Sequence, residues 1–549
     1  MTGVVHAGAI DVGNPDLEVR WDTTVEYSVA WRIKGVNPAL VADPVTHVPY
    51  VNADDGDRNF GKGGLISNRV GLFSEMDLVW DRRLGGRVSA AAFYDDVYNH
   101  QRNDNPGFAG GAFPNQTSVP YNQFTKATQS VNGRNAELLD AFVFGNADLG
   151  DTKVSARLGR YSMIWGESLF FGSNAIAGGM TPVDLVKLQS VPGTQFKEII
   201  RPVPQASLQA QLTPEISVGA YYQFRWDKTR ASGAGSYFST FDAVVDGGEN
   251  LLVPGRAPNS LMTVPRSYDR DPKYSGQGGL QMRIRALDTD FGLYAIRYDS
   301  KTPQVVTLVK LVQLAPNGPP TAIPVGYYQA YNQGITALGL SANRSFDIYN
   351  VAFEASVRNN QDLASPRAID LSPTTGVASN VSDNPGYAVG RTAHVNISLI
   401  STLERSLLWN EATLTAEFAW TRLLSVTKSA AALDPNGTRD GTEVRFRFEP
   451  TYRQVLPQFD LSVPIGISWA PKNARPLSAG TPLAWTPANG GDMSIGLNGS
   501  YRDAWRFTLN YTHFYGAAQP TTVGNPPAYT WKQPLADRDF VSASVRYSF

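Results

Sequence analysis

The chain contains no cysteine, which excludes disulfides and thiolate metal sites. It contains no apolar run approaching the ~18 residues that a membrane-spanning helix needs. Hydrophobic residues make up 42% of the 549 and mean hydropathy is -0.24, so a bundle of membrane helices is excluded. Net charge is scarce too: a formal -1 offers no one-signed surface for nucleic acid. Histidine is rare, with only His6, His47, His100, His394 and His513. Only His394 shares a polar strand face, with Asn396 and Ser398, the residue types of a Ser–His–Asn hydrolase. Alternate residues on one strand stand roughly 6–7 Å apart, too far for a nucleophile–base hydrogen bond. No catalytic residue, cofactor or metal is expected.

What the chain does contain is alternation. Over 17–34 the odd positions run Leu17, Val19, Trp21, Thr23, Val25, Tyr27, Val29, Trp31 and Ile33. The even positions include Glu18, Arg20, Asp22, Glu26, Arg32 and Lys34. A strand with one apolar and one charged face results. Soluble strands usually end after about 5–6 residues, whereas a tilted strand crosses a bilayer in about 9–11. The low overall hydropathy agrees, because lipid-facing and lumen-facing residues average out. The 11 Trp, 24 Tyr and 25 Phe suit two interfacial girdles.

Similar runs recur to the end, near 65–80, 87–97, 136–144, 153–161, 205–212, 215–226, 277–286 and 290–299. They continue near 331–342, 348–358, 391–402, 408–422, 442–456, 461–469, 493–501, 505–515 and 540–549. Short turns alternate with long loops rich in Gly, Pro, Asn and Ser, the layout of an outer-membrane barrel with short periplasmic turns. The fold expected is all-β: a transmembrane antiparallel β-barrel of about eighteen strands, or sixteen, with both termini in the periplasm. Residues 1–16 read as a periplasmic end, with Val5-His6-Ala7 resembling the small-residue close of a signal peptide. Residues 17–549 read as the single barrel. The last strand ends on Tyr547 and Phe549, resembling the terminal signal read by the barrel-assembly machinery.

One segment, 165–204, fits no strand. It begins Trp165-Gly166-Glu167-Ser168-Leu169-Phe170-Phe171. Thr181-Pro182-Val183-Asp184 predicts a helix start with Thr181 as N-cap, and a second short helix is expected over 194–200. An apolar loop this long folds inward as a plug or constriction, or packs on the rim. Trp165, Glu167, Phe170, Phe171, Pro182 and Asp184 are the candidate gate residues.

The inward face carries both signs. Arg69, Glu75, Arg157, Arg225, Arg283, Arg285, Arg445 and Arg447 are the candidate lumen charges. Mixed signs favour cross-strand pairs that brace a wide wall, and the four arginines at 283, 285, 445 and 447 are the best candidates for a ladder guiding an anion. Asp54-Asp55-Gly56-Asp57-Arg58-Asn59 is acidic enough to suggest Ca²⁺, yet it lacks the spaced closing Glu of an EF-hand, and a solvated outer loop explains its acidity as well.

Several motifs carry a resemblance. They are Trp21-Asp22-Thr23-Thr24-Val25, Asp54-Asp55-Gly56-Asp57-Arg58-Asn59-Phe60, Ser67-Asn68-Arg69 and Arg157-Leu158-Gly159-Arg160. Trp165-Gly166-Glu167-Ser168, Pro182-Val183-Asp184, Pro192-Gly193, Gly235-Ser236-Tyr237-Phe238-Ser239 and Tyr452-Arg453-Gln454-Val455-Leu456-Pro457 continue the set. With them the chain resembles a family of proteobacterial outer-membrane proteins defined as a domain of unknown function, with Tyr161 a mild departure. The resemblance implies no settled activity. It implies an association with the use of steroids, hydrocarbons and lipids, hence a small hydrophobic solute. The expected function is passive uptake or transfer of such molecules across the Gram-negative outer membrane. A water-filled channel for polar or anionic solutes, or a non-conducting component of a multi-protein lipid-transport system, are the alternatives. Expected partners are outer-membrane lipid and lipopolysaccharide, the barrel-assembly machinery and, in the last alternative, periplasmic lipid-transport proteins.

Overall fold

In β1 (Leu17–Arg32) the alternation sorts the side chains as their polarity dictates. Trp21, Val25, Tyr27 and Trp31 face outward, while Glu26, Ser28, Ala30 and Arg32 are buried inside. This is a computed structural model, describing residues 8–549 except 100–102, 109–112, 191–198, 256–259, 274, 315 and 317. The signal-like Val5-His6-Ala7 lies outside the described residues.

Seventeen further strands continue the wall: β2 (Leu65–Trp80), β3 (Leu84–Asp95), β4 (Arg134–Leu149), β5 (Thr152–Tyr161), β6 (Val203–Gln211) and β7 (Ile216–Gln223). Next come β8 (Gln277–Ala286), β9 (Thr289–Tyr298), β10 (Ile335–Phe346), β11 (Tyr349–Asp362), β12 (Val389–Leu403) and β13 (Glu411–Lys428). The last are β14 (Asp440–Leu456), the split β15 (Phe459–Ser462 and Ile465–Trp469), β16 (Gly491–Tyr501), β17 (Trp505–Tyr515) and β18 (Phe540–Ser548). Each pairs antiparallel with the next, and β18 returns to β1 with Arg32 opposite Phe540 and Thr24 opposite Ser548. Closure leaves none of the eighteen wall strands as an edge, and Gly8–Ile10 adds a three-residue antiparallel pairing to β1. Eighteen strands therefore make one transmembrane barrel with an apolar outer band.

The seam is held by side chains as well as backbone. Arg546 donates to Glu26 Oε2 at 2.7 Å across the β18–β1 pair, both nearly buried. Arg546→Ala leaves Glu26 buried without that partner, a loss of about 3–5 kcal/mol in comparable sites. The folded-to-unfolded gel-mobility transition should fall in temperature, and the Glu26→Gln/Arg546→Gln double variant should lose less. Tyr547 packs on Trp505 at 4.6 Å and on Phe549 at 5.6 Å, forming an aromatic cluster on the outer face.

The short turns gather at one end. Between β8 and β9 only Leu287 and Asp288 intervene, with φ of 53° and 56°, the signature of a type I′ hairpin. The tenth strand starts four residues later than its sequence suggests and the seventh ends at Gln223, so Arg225 lies beyond the wall rather than in it. β15 is interrupted at Pro464, which has no N–H to give the ladder. Two hairpins in the long loops were not legible as structure: Asn250–Pro254 with Leu261–Pro265, and Gln304–Val312 with Thr321–Ala330. The second pair lies outside the barrel wall, in an apolar stretch that alternation with polar residues does not mark.

Candidate functional site

After β5 the chain leaves the wall and crosses the lumen. Trp165 packs edge-on against Tyr221 of β7 at 4.9 Å and stacks on Tyr294 of β9 at 6.2 Å. Glu167 reaches β8 and β10: its Oε1 lies 3.9 Å from Arg283, and its Oε2 accepts from Asn343 Nδ2 at 2.8 Å. The N–H groups of Leu169, Phe170 and Phe171 then converge on Glu417 Oε2 of β13, at 3.1, 2.5 and 2.9 Å. Three successive N–H donors on one carboxylate form an anion nest turned inside out, with the protein's own side chain as the anion.

β11 supplies a second clamp. Glu354 accepts from the N–H of Glu167 at 2.7 Å and of Ile176 at 2.6 Å. Arg358 donates to the carbonyls of Ser173, Asn174 and Ala175 at 3.2, 2.7 and 2.9 Å. The close fit explains Gly166: a Cβ there would lie 2.2 Å from Glu354 Oε2, and its φ is +98°. Gly166→Ala should therefore loosen this anchor and raise protease sensitivity of the segment without unfolding the wall. β13 stands eight strands round from β5, so the segment reaches the far side of the lumen.

The chain then returns to the near wall. Val183 bridges to Ile200, and Asp184 pairs with Arg230 at 2.8 Å. Arg230 and Lys187 both pair with Glu137 of β4, at 2.8 and 3.1 Å. The short helix begins later than expected, at Leu185–Ser190. Asp184, not Thr181, receives the capping N–H from Lys187 at 3.1 Å, because Thr181-Pro182-Val183 is held extended, with the Pro182 carbonyl accepting from Arg201. Most of the expected second helix, 194–200, lies outside the described residues.

The polar triple on β12 serves this docking. His394 is bonded to Thr392, Thr421 and Asn174, at 2.8, 3.0 and 2.7 Å. Asn396 donates to Glu417 at 2.8 Å, and Ser398 donates to the Glu167 carbonyl at 3.1 Å. Ser398 and His394 therefore do not form a nucleophile–base pair.

The candidate lumen charges do not form one ladder. Arg69 pairs with Asp95 at 3.4 Å, and Glu75 with Arg87 at 3.2 Å. Arg445 pairs with Asp492 at 2.9 Å and lies over the Phe170 ring at 5.6 Å, while Arg447 pairs with Glu449 at 2.7 Å. β8 and β14 are six strands apart, so Arg283 and Arg285 stand on a different sector from Arg445 and Arg447. Arg283 and Arg445 each meet the inserted segment, at Glu167 and Phe170 respectively.

Arg157 differs from these. Its guanidinium lies 4.7 Å from the Phe142 ring and 5.0 Å from the Tyr161 ring. It lines a recess of about 860 Å³ at the short-turn end, with Phe142, Phe144, Tyr161, Met163 and Ile164 and the charged Arg20, Asp77, Arg87 and Asp140. The recess has the size of a small-molecule site.

A family model described as Protein of unknown function (DUF1302) matches residues 1–549. The chain belongs to this family. No curated protein sequence matches it. Among solved structures it is similar to OccAB4 of Acinetobacter baumannii, at 8% identity over 98% of this chain and 100% of that one, TM-score 0.40. It is similar also to OpdK of Pseudomonas aeruginosa, solved with vanillate, at 8% over 99% and 100%, TM-score 0.39. The outer membrane channel DcaP of Acinetobacter baumannii follows at 10% over 99% and 100%, TM-score 0.34.

In this DUF1302 chain the motif segments meet in two places. Trp165-Gly166-Glu167-Ser168 and Pro182-Val183-Asp184 make the lumen crossing described above. The acidic motif and Gly235-Ser236-Tyr237-Phe238-Ser239 meet at the opposite, long-loop end. There Arg538 Nε donates to Asp57 at 2.7 Å and its guanidinium bonds the Tyr237 carbonyl. Arg32 adds contacts to Asp57 at 3.3 Å and Asp537 at 3.0 Å. Gly56 sits where a Cβ would lie 2.7 Å from the Ser236 carbonyl. The acidic motif is thus buried, not a solvated loop. Arg32, Arg358, Asn174 and Arg538 escaped sequence reading, because only their distant partners reveal them.

Proposed function

We propose that the chain is an outer-membrane channel for hydrophobic small molecules that carry a polar oxygen. In this reading the short-turn end and both termini face the periplasm, and segment 165–204 is the gate. The observation that supports it is the recess beneath the segment, to which Phe142, Phe144, Tyr161, Met163 and Ile164 give an apolar side. Arg157 lies over two of those rings, and Arg20, Arg87, Asp77 and Asp140 add polar groups to the same lining. Such a site suits a solute that buries an apolar body and hydrogen-bonds through one group. The inner face, the recess included, carries paired charges, which argues against a continuous apolar tunnel. Apolar solute then dwells in the recess and passes when the segment shifts.

Proteoliposome uptake tests this. A sterol-like or aromatic acid should enter faster than a sugar of equal size, and only in vesicles containing the protein. Equal entry of both, with steady ionic current from the unaltered protein, would instead make it a general aqueous pore.

A further inference from the structure

The long-loop end holds more buried negative charge than its cations balance. Asp54 and Asp55 open the short helix Asp55–Arg58 between β1 and β2, and Asp242 belongs to the loop between β7 and β8. Each presents an oxygen within 4.8 Å of the other two. Asp242 Oδ2 accepts the N–H groups of Asp54 and Asp55 at 2.9 and 3.3 Å. A third loop joins through Asn105, which donates to Asp55 Oδ1 at 3.1 Å.

Two observations separate this cluster from a chance gathering of carboxylates. First, Asp242 is 1% exposed and its Oδ1 has no hydrogen-bond partner among the described residues; Asn59, 5% exposed, has an Oδ1 in the same state. Asn59 and Asp55 together line a cavity of about 20 Å³, room for one ion or water. An orphaned buried oxygen is costly; Asn59 lines the small cavity beside Asp55 and Asp242 belongs to the carboxylate cluster, and both oxygens call for an electropositive occupant. Second, the charges do not cancel. Arg32 and Arg538 are engaged by Asp57 and Asp537. Among the described residues only Arg58 pairs with the cluster, 3.4 Å from Asp54. Three carboxylates against one guanidinium leave two negative charges in excess.

We propose that Asp54, Asp55 and Asp242, with Asn59 Oδ1, bind one calcium ion that ties two outer loops together, with the third attached through Asn105. Calcium takes oxygen ligands at about 2.3–2.6 Å, so two ligands on one ion stand at most about 5 Å apart. The cluster meets that limit. The excess charge equals that of one divalent cation. The loops between β1 and β2 and between β7 and β8 are joined by no disulfide, and the ion supplies an ionic cross-link.

The test uses the full chain folded in detergent micelles, stripped with EDTA and titrated with terbium or calcium. Tyr121 lines the same cavity and serves as antenna, so saturable terbium emission displaced by calcium is expected. About 1 mM calcium, the range that extracellular modules use, should raise the thermal midpoint by several degrees. Asp242→Asn and Asp55→Asn should each abolish both responses. Either variant should also match or exceed the stability of the stripped wild type, because it removes repulsion and keeps an acceptor oxygen. No calcium-dependent shift in the wild type, or a shift that persists in both variants, overturns the site. A midpoint raised by mild acid but not by calcium also overturns it, since protons would then be the balancing charge.

Discussion

Replacing Glu354 and Glu417 together by alanine is expected to turn a barrel with little or no current into a conducting one. The two carboxylates accept five backbone N–H groups from the crossing segment. At a net contribution of about 1 kcal/mol per bond, they hold the segment by roughly 5 kcal/mol. A change of about 5.5 kcal/mol is what inverts a 99:1 equilibrium. The freed N–H groups can be rehydrated in a water-filled lumen, so the wall should survive. Single-channel recording in planar bilayers checks this, with deletion of 172–195 as a second variant. Current that appears in both would identify the segment as the gate. Equal steady current from the unaltered protein would sink that role, because the segment would then leave the lumen open.

Arg157→Gln is expected to weaken binding of an apolar solute bearing a carboxylate or hydroxyl by about tenfold to a hundredfold. A hydrogen bond from a charged donor contributes about 1.5–3 kcal/mol, and the variant keeps a donor without the charge. The rings of Phe142 and Tyr161 lose their cation but keep their area, so affinity for a pure hydrocarbon of the same size should hardly change. That split distinguishes an oxygen anchor from a packing role. Equal losses for both solutes would mean that Arg157 only shapes the recess. Titration of the detergent-solubilised protein with a fluorescent sterol acid and its decarboxylated counterpart reads both affinities.

The wall was legible because its signal is local and repeated. On β1 and β18 every second side chain reports its side of the sheet, and Val541, Val545, Tyr547 and Phe549 fall outward as the period requires. Strand ends were less legible: Arg225 extends the alternation of β7 although pairing stops at Gln223. The inserted segment was legible as an exception, since 165–204 breaks the period. Its anchors were not. Glu354 and Glu417 look like any other inward charge, and only the crossing assigns them to backbone N–H groups. The acidic motif shows the same limit. Asp54 to Asn59 read as a water-facing loop, because Asp537, Arg538 and Asp242 lie hundreds of residues away.

By itself, then, the alternating pattern determined a closed barrel with a polar interior, because one face of each strand must meet lipid and the other must not. Only the tertiary structure decided what fills that interior. Closure brings β5, β11 and β13 around one lumen and folds three loops over one end, and there the partners of buried charges come from residues that no local spacing connects.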